Sequence, residues 1–351
     1  MSLRADVGEQ PRRWYDRLPD SITTTAQCLR YLVDRTFELP AIPPRRRRRF
    51  DLHRLKFDLR VDHPELCDTI GGITSLFGLL RDQSRYTVIK RFDQLDAWAD
   101  RLPDPKLRLD MIEFHAYDLA SHWNLDRPAV MREYLRQLDG FLGRVRQRCA
   151  DQKVTFMLLV DHGQEVVTRH INLRAELRRL DVPEDEYDYF LAVAVGRFWF
   201  HTDRAREAIT AMLRRLPHVN VRTSDELREY GCGLDAARFG ELYAITDQGA
   251  LFFPHDFFNR LGNTFLGLKN PLMRSRVLSG RHRGYHGHLP DHPAELGYMS
   301  VADDRWDLGD AMMDVIDFAP TVLAMLGQRV PEHMHGRCLL NNPASAVRQV
   351  A

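Results

Sequence analysis

From Met1 to Gly72 the apolar positions follow neither a helical nor a strand period. The segment is rich in Arg and Pro, and only Thr25–Val33 has a helical rhythm. After Gly72 the texture becomes regular. Ile73–Leu80 predicts a helix, Tyr86–Lys90 a strand, Phe92–Ala99 a helix and Leu109–Ala116 a second strand. Pro128 suits a first helical turn, and Met131, Leu135, Leu138, Leu142 and Val145 follow at the spacing of a long amphipathic helix. That helix leads into Val154–Gly163, VTFMLLVDHG, an apolar run that reads as a fully buried strand ending in Asp161-His162-Gly163. The order strand, helix, strand, helix, strand predicts a parallel sheet with helices on its faces.

Further on, Leu173–Leu180 reads as a helix and Tyr189–Phe200 as one or two strands broken at Gly196. Thr202–Leu213 is a helix with its N-cap at Thr202 or Asp203, and Ser224–Tyr230 a shorter helix. Gly240–Thr246 and Ala250–Pro254 read as short strands, Asn259–Gly287 as a basic, loop-rich stretch, and Val315–Leu326 as an apolar helix ending near Gly327. The sequence contains no internal repeat.

Composition narrows the function classes. Lys and Arg number 50 against 49 Asp and Glu, a formal charge of +1, so there is no global field for nucleic acid or an anionic membrane. The run Arg45–Arg49, behind Pro43-Pro44, could be a phosphate or nucleic-acid patch, but beside prolines it reads rather as a solvated loop. No stretch approaches the roughly 20 apolar residues of a membrane span, and the first residues lack the apolar core of a signal peptide. Five cysteines, Cys28, Cys67, Cys149, Cys232 and Cys338, are scattered without a paired spacing. These features predict a reducing compartment and a cytoplasmic location, given Met1 as the start.

Three clusters carry metal-ligand chemistry. They are Asp118-Leu-Ala-Ser-His122, just past the second predicted strand; Asp161-His162-Gly163, at the end of the buried run; and Gly284-Tyr-His286-Gly287, whose glycines let the backbone bring an imidazole close to another element. Carboxylate oxygen and imidazole nitrogen suit zinc and similar divalent ions. Taken singly, Asp118 and His122 could be a hydrogen-bonded pair on a helix surface. Asp161 and His162 could be a satisfied turn. The tract with His282, His286, His288 and His292 could be a metal-scavenging or plain surface loop.

Taken in order, Asp-x-x-x-His, Asp-His-Gly and Gly-x-His-Gly resemble the alkaline phosphatase superfamily, in particular its type I phosphodiesterase/nucleotide pyrophosphatase branch. Asp139-Gly-Phe-Leu-Gly143, Pro290-Asp-His-Pro293, the helix Asp317-Phe-Ala-Pro-Thr-Val-Leu-Ala-Met-Leu-Gly327 and Gly336-Arg337 resemble further family motifs, so the likeness runs from Ile73 to Leu340. It implies an α/β/α sandwich with a mostly parallel central sheet. It also implies an irregular segment packing on the core (1–72) and a catalytic domain (73–345) with a small inserted subdomain at about 185–255.

The resemblance further implies two divalent ions, usually zinc. Asp118, His122 and His286 would hold one, and Asp161 and His162 the other. The reaction would be an in-line displacement on a phosphodiester or pyrophosphate by a Thr or Ser oxygen, on a phosphate-ester or nucleotide-like small molecule and without nucleic-acid or membrane partners. Sulfatases and phosphomutases share the scaffold.

The family's first strand, which ends in a metal-ligating Asp and is followed by the nucleophile at a helix start, has no counterpart among the residues before Gly72. Thr23, Thr24 and Thr25, with Asp16 or Asp20 ahead of them, are the nearest letters, and they read as helix caps. The expectation is therefore a chain lacking the N-terminal part of such an enzyme, through a misplaced start, a split gene or degeneration, with its activity in doubt and either both family ions or only one bound. Either a second polypeptide supplies the missing part, or the chain is a non-catalytic, metal-binding remnant. Lys269, Arg274, Arg276, Arg281 and Arg283 either contact a phosphate-bearing substrate or form a solvated loop.

Overall fold

The computed structural model describes residues 69–70, 73–89, 91–247, 249–256, 274–309 and 312–341. The readings of Asp16, Asp20, Thr23–Thr25, Cys28, Arg45–Arg49, Cys67 and Lys269 lie outside them. In chain order the elements are β1 (Thr69–Ile70), β2 (Ile73–Thr74), α1 (Leu76–Leu80), β3 (Ser84–Val88), α2 (Leu95–Ala99), β4 (Leu109–Glu113), α3 (His115–Asn124), α4 (Pro128–Asp151) and β5 (Phe156–Val160). There follow β6 (Glu165–Val166), β7 (Arg169–Ile171), α5 (Leu173–Arg179), β8 (Tyr187–Leu191), β9 (Val195–Phe200), α6 (Asp203–Arg215), β10 (Val219–Thr223), α7 (Ala236–Phe239), β11 (Leu242–Thr246) and β12 (Ala250–Phe252). The last are α8 (Arg274–Ser279), β13 (Gly284–Tyr285), β14 (Tyr298–Ala302) and α9 (Phe318–Met325). Among the described residues no helix is long and apolar enough to cross a membrane.

The chain divides into two compact units. One contains Ala120–Pro128 and Gly163–Leu296; the other contains the described residues up to Leu119, Ala129–His162 and the residues from Gly297. In this second unit β3 and β4 pair in parallel, Ser84 opposite Leu109 through Val88 opposite Glu113. β5 pairs antiparallel with β14, Val160 opposite Tyr298. The strand periodicity of β4 and β5 sorts their side chains into two layers. Ile112, Phe114 and Phe156 join Ile89, just past β3, Leu95 of α2, and Phe141, Val145 and Cys149 of α4. Leu109 and Met157 join Leu76, Leu80, Val322 and Leu323, from α1 and α9.

In the first unit four antiparallel strands run in the order β10-β11-β9-β8. α5 and α6 pack Leu173, Leu177, Ile209 and Leu213 onto Leu191, Phe198 and Ala244 of this sheet. β7 and β12 pair in parallel and β6 and β13 antiparallel. A buried ion pair joins Arg174 of α5 to Asp256, whose other oxygen accepts from Leu191 N at 2.7 Å. This satisfies an otherwise costly buried charge.

Several elements differ from the sequence reading, each for a local reason. Ile73–Thr74 pairs with Thr69–Ile70, so α1 begins only after Ser75, whose side chain accepts from Gly78 N. The strand expected to reach Ala116 stops at Glu113, and His115 opens α3. β5, expected to be fully buried, is half-buried at all five residues. Gly196 lies inside β9 and not at the break, which falls at residues 192–194. A Cβ there would come within 3.1 Å of the Leu191 side chain, so the glycine serves close packing. On α4 the expected apolar position Leu135 is 46% exposed, and Phe141 and Cys149 are buried instead. Strands β10 and β14, short and half-polar, were not expected.

Candidate functional site

In the second unit β5 carries Asp161 and His162 at its carboxyl end, where an open α/β sheet has its ligand crevice. β14 fixes that end. A Cβ at Gly297 would lie 1.9 Å from the Val160 carbonyl oxygen, so only glycine lets β14 start against the last residue of β5. The Asp161 side chain is 74% exposed and that of His162 21%. His162 N donates to Asp161 Oδ1 at 3.1 Å, and the ring Nε2 lies 3.4 Å from Oδ2. The pair is therefore preformed, carboxylate outward and imidazole half-covered.

His122 and His286 come together in the first unit. Their rings lie 5.2 Å apart, with Tyr285 4.9 Å from His122 and stacked on His286 at 11°. His122 Nδ1 donates to Gly284 O at 2.9 Å. A carbonyl only accepts, so Nδ1 is the donor in this contact. That is the outer hydrogen bond typical of a metal-ligating histidine. Gly284 makes this contact attainable: a Cβ there would lie 2.7 Å from both Leu125 Cβ and Ser121 O, so β13 runs against α3 only with glycine at that position. Gly287, at φ +91°, turns the chain so that Gly287 N and His288 N both donate to Glu295 Oε1, at 2.6 and 2.9 Å. His286 is thus held between two glycines with defined tasks. Asp118 is half-buried on α3, one turn before His122.

Within each unit the donor types are those that divalent ions take: carboxylates at Asp118 and Asp161 with the His162 imidazole in one, and the imidazoles of His122 and His286 in the other. Behind His122 and His286 runs a chain of rings. His282 stacks on Trp123 at 4.6 Å and lies 5.7 Å from His255, which with His170 flanks Phe253. Burial, and secondarily Arg174 and His170, pulls His255 down to about 4. Burial with Arg281 and Arg283 does the same to His170.

The basic residues near His286 separate into two kinds. Arg276 is engaged by Asp126 and by Trp123 O at 3.0 Å, and Arg281 lies over the Phe253 ring at 5.3 Å. Both have structural occupations. Arg283 anchors its backbone N to His122 O at 2.7 Å, while its buried Nε has no hydrogen-bond partner among the described residues.

One residue pair escaped the sequence reading. Thr74-Ser75 precedes α1 in the same unit as Asp161 and His162, both half-buried. Ser75 caps the helix, its oxygen 3.1 Å from Gly78 N, whereas the Thr74 hydroxyl makes no hydrogen bond among the described residues. The signal was a hydroxyl pair after Gly71-Gly72 and before an apolar turn, hidden because Ile73–Leu80 reads as one uninterrupted helix.

No family model matches the sequence, and no curated protein does. Solved structures do match. Human ectonucleotide pyrophosphatase/phosphodiesterase 5 superposes with a TM-score of 0.57 at 13% identity, over 83% of this chain and 81% of its own. The murine protein, solved as an inactive form in complex with AMP, matches 62% of this chain and 59% of its own at 15% identity and TM-score 0.44. Phosphonoacetate hydrolase from Sinorhizobium meliloti matches 46% and 42% at 13% identity and TM-score 0.36. The comparisons give no support to a second polypeptide. The overlap with the human protein shows that the chain shares its α/β fold.

Proposed function

We propose that the chain is a metal-dependent hydrolase of phosphodiester or pyrophosphate bonds acting on a nucleotide-like phosphate ester. The observation that carries this reading is His122: its Nδ1 proton is held by Gly284 O at 2.9 Å and its ring lies 5.2 Å from His286, as in a preorganised ligand pair. In this proposal Asp118, His122 and His286 hold one divalent ion and Asp161 and His162 the other, zinc being the family's usual metal. Bound ions would supply Lewis-acid polarisation of a phosphoryl oxygen and a lowered hydroxyl pKa.

The nucleophile we assign is Thr74. Its hydroxyl precedes a helix start, and the neighbouring Ser75 is occupied with capping. Attack of the Thr74 oxygen on phosphorus would expel the ester alcohol, and water would then release phosphate or phosphomonoester from the threonine. Arg283, whose buried Nε makes no hydrogen bond among the described residues, is the basic side chain best suited to a phosphoryl oxygen.

The domain reading belongs to the same proposal: a catalytic domain at 73–345 with an insertion at about 185–255, supported by the separate four-stranded sheet β8–β11. A cytoplasmic location is supported by free thiols at Cys149, Cys232 and Cys338. The test is elemental analysis together with turnover of bis-p-nitrophenyl phosphate. Two zinc equivalents per chain, and turnover lost in His286→Ala, are expected. One equivalent or none, without turnover, would make the chain a non-catalytic metal-binding relative.

A further inference from the structure

We propose that Glu295 is the positioning residue of His286, a carboxylate that fixes the backbone behind the proposed metal ligand and so aims its imidazole. Two successive backbone N–H groups, Gly287 N and His288 N, converge on Glu295 Oε1 at 2.6 and 2.9 Å. Paired N–H groups of this kind form a small anion-binding concavity, and hydrogen bonds to an ionised carboxylate are about twice as strong as neutral ones. On the other side of His286, β13 pairs with β6, Tyr285 opposite Glu165, and the Tyr285 ring stacks on the imidazole at 5.4 Å. His286 therefore sits between a strand pair and a carboxylate clamp. Gly287 is what the clamp has to hold. Its φ of +91° suits glycine, and glycine is also the residue with the most conformations to lose when its backbone is fixed.

Glu295 is held in turn by its own loop. His292 caps the turn Pro293–Glu295, its Nδ1 accepting from Ala294 N at 3.1 Å, and Glu295 N donates to His292 O at 2.9 Å. The Nε2 of the same ring lies 3.3 Å from Glu165 Oε2, and that oxygen accepts from Gly249 N at 2.9 Å. His288 Nδ1 donates to Thr246 O, at the end of β11, at 2.7 Å. Leu289 and Ala294 are buried, Leu289 in a cluster with Leu227, Tyr243 and Ile245. The loop that carries the carboxylate is thus tied to β6, to β11 and to the core of its unit. A side chain can position another only if its own place is fixed in this way.

The metal-ligand half of this role rests on the hydrolase reading, whereas the clamp does not, and two readouts separate them. Amide hydrogen exchange at Gly287 and His288 is followed in the metal-free full chain, and zinc affinity is measured by competition with a chelator, in the parent, Glu295→Ala and Glu295→Gln. The side-chain oxygen of Gln can still accept both N–H groups. In Glu295→Ala, exchange at the two amides should accelerate by about tenfold or more while the amides of β10 and β11 keep their rates. One zinc equivalent should bind about 10- to 100-fold more weakly in that variant. Glu295→Gln should largely restore both. Unchanged exchange at Gly287 and His288 in Glu295→Ala, or zinc affinity equal to that of a zinc-binding parent, would overturn the proposal. So would acceleration that spreads to β10 and β11, the mark of a residue that serves stability alone. A parent chain that binds no zinc would overturn the hydrolase reading first and the positioning role with it.

Discussion

Gly284 lies where a helix, a strand and a candidate ligand meet, and its missing side chain is the condition for all three. Gly284→Ala would drive a methyl into Leu125 and the Ser121 carbonyl, both at 2.7 Å, and displace the carbonyl that fixes His122. The expected outcome is a loss of about 1–3 kcal/mol in urea unfolding, with weakened zinc binding. His255 sets a second residue-scale expectation. Its folded value of about 4 lies below the ordinary 6.5, so between these pH values the unfolded chain binds more protons than the folded one. Stability is then fully present above pH 6.5 and is lost as pH falls toward 4, by roughly 3 kcal/mol for the fully buried case. Urea midpoints at pH 7 and 4.5 should differ clearly less in His255→Phe than in the parent. At this scale the sequence was legible for placement: Asp161-His162 follow the end of β5, and Gly284 lets β13 run against α3. It was opaque where meaning comes from distant chain segments. Nothing local marks His170, His255 and His282 as neighbours, and Thr74 acquires a role only once α1 is seen to start after it.

Among the elements, α6 was the most legible, because its N-cap is a local signal. The Thr202 side chain accepts from Ala205 N at 3.1 Å and donates to Glu186 at 2.6 Å. Thr202→Ala should cost about 1 kcal/mol in urea unfolding, and Thr202→Ser much less. β10 and β14 were illegible for the opposite reason. VNVRT and YMSVA are half-polar five-residue strands, and only their pairing with β11 and β5 identifies them. The amphipathic period of α4 predicted the helix but misassigned part of its buried stripe. Leu135 faces outward, and Phe141 and Cys149 fill the layer shared with Phe156 of β5.

For the molecule as a whole, the alternation of strands and helices after Gly72 pointed to an α/β fold, and the superposition on human ectonucleotide pyrophosphatase/phosphodiesterase 5 agrees with that. The assigned roles remain to be separated experimentally. Thr74→Ala should abolish turnover and leave zinc stoichiometry unchanged, whereas Asp161→Asn and His122→Ala should lower both, as expected for a nucleophile and for ligands respectively. The most direct measurement of the central claim is hydrolysis of bis-p-nitrophenyl phosphate by the purified full chain after chelator dialysis, during stepwise return of zinc. The account predicts no turnover in the dialysed protein and recovery that saturates at two equivalents. Turnover that survives chelation, or no turnover at any zinc concentration in a folded protein, would contradict it.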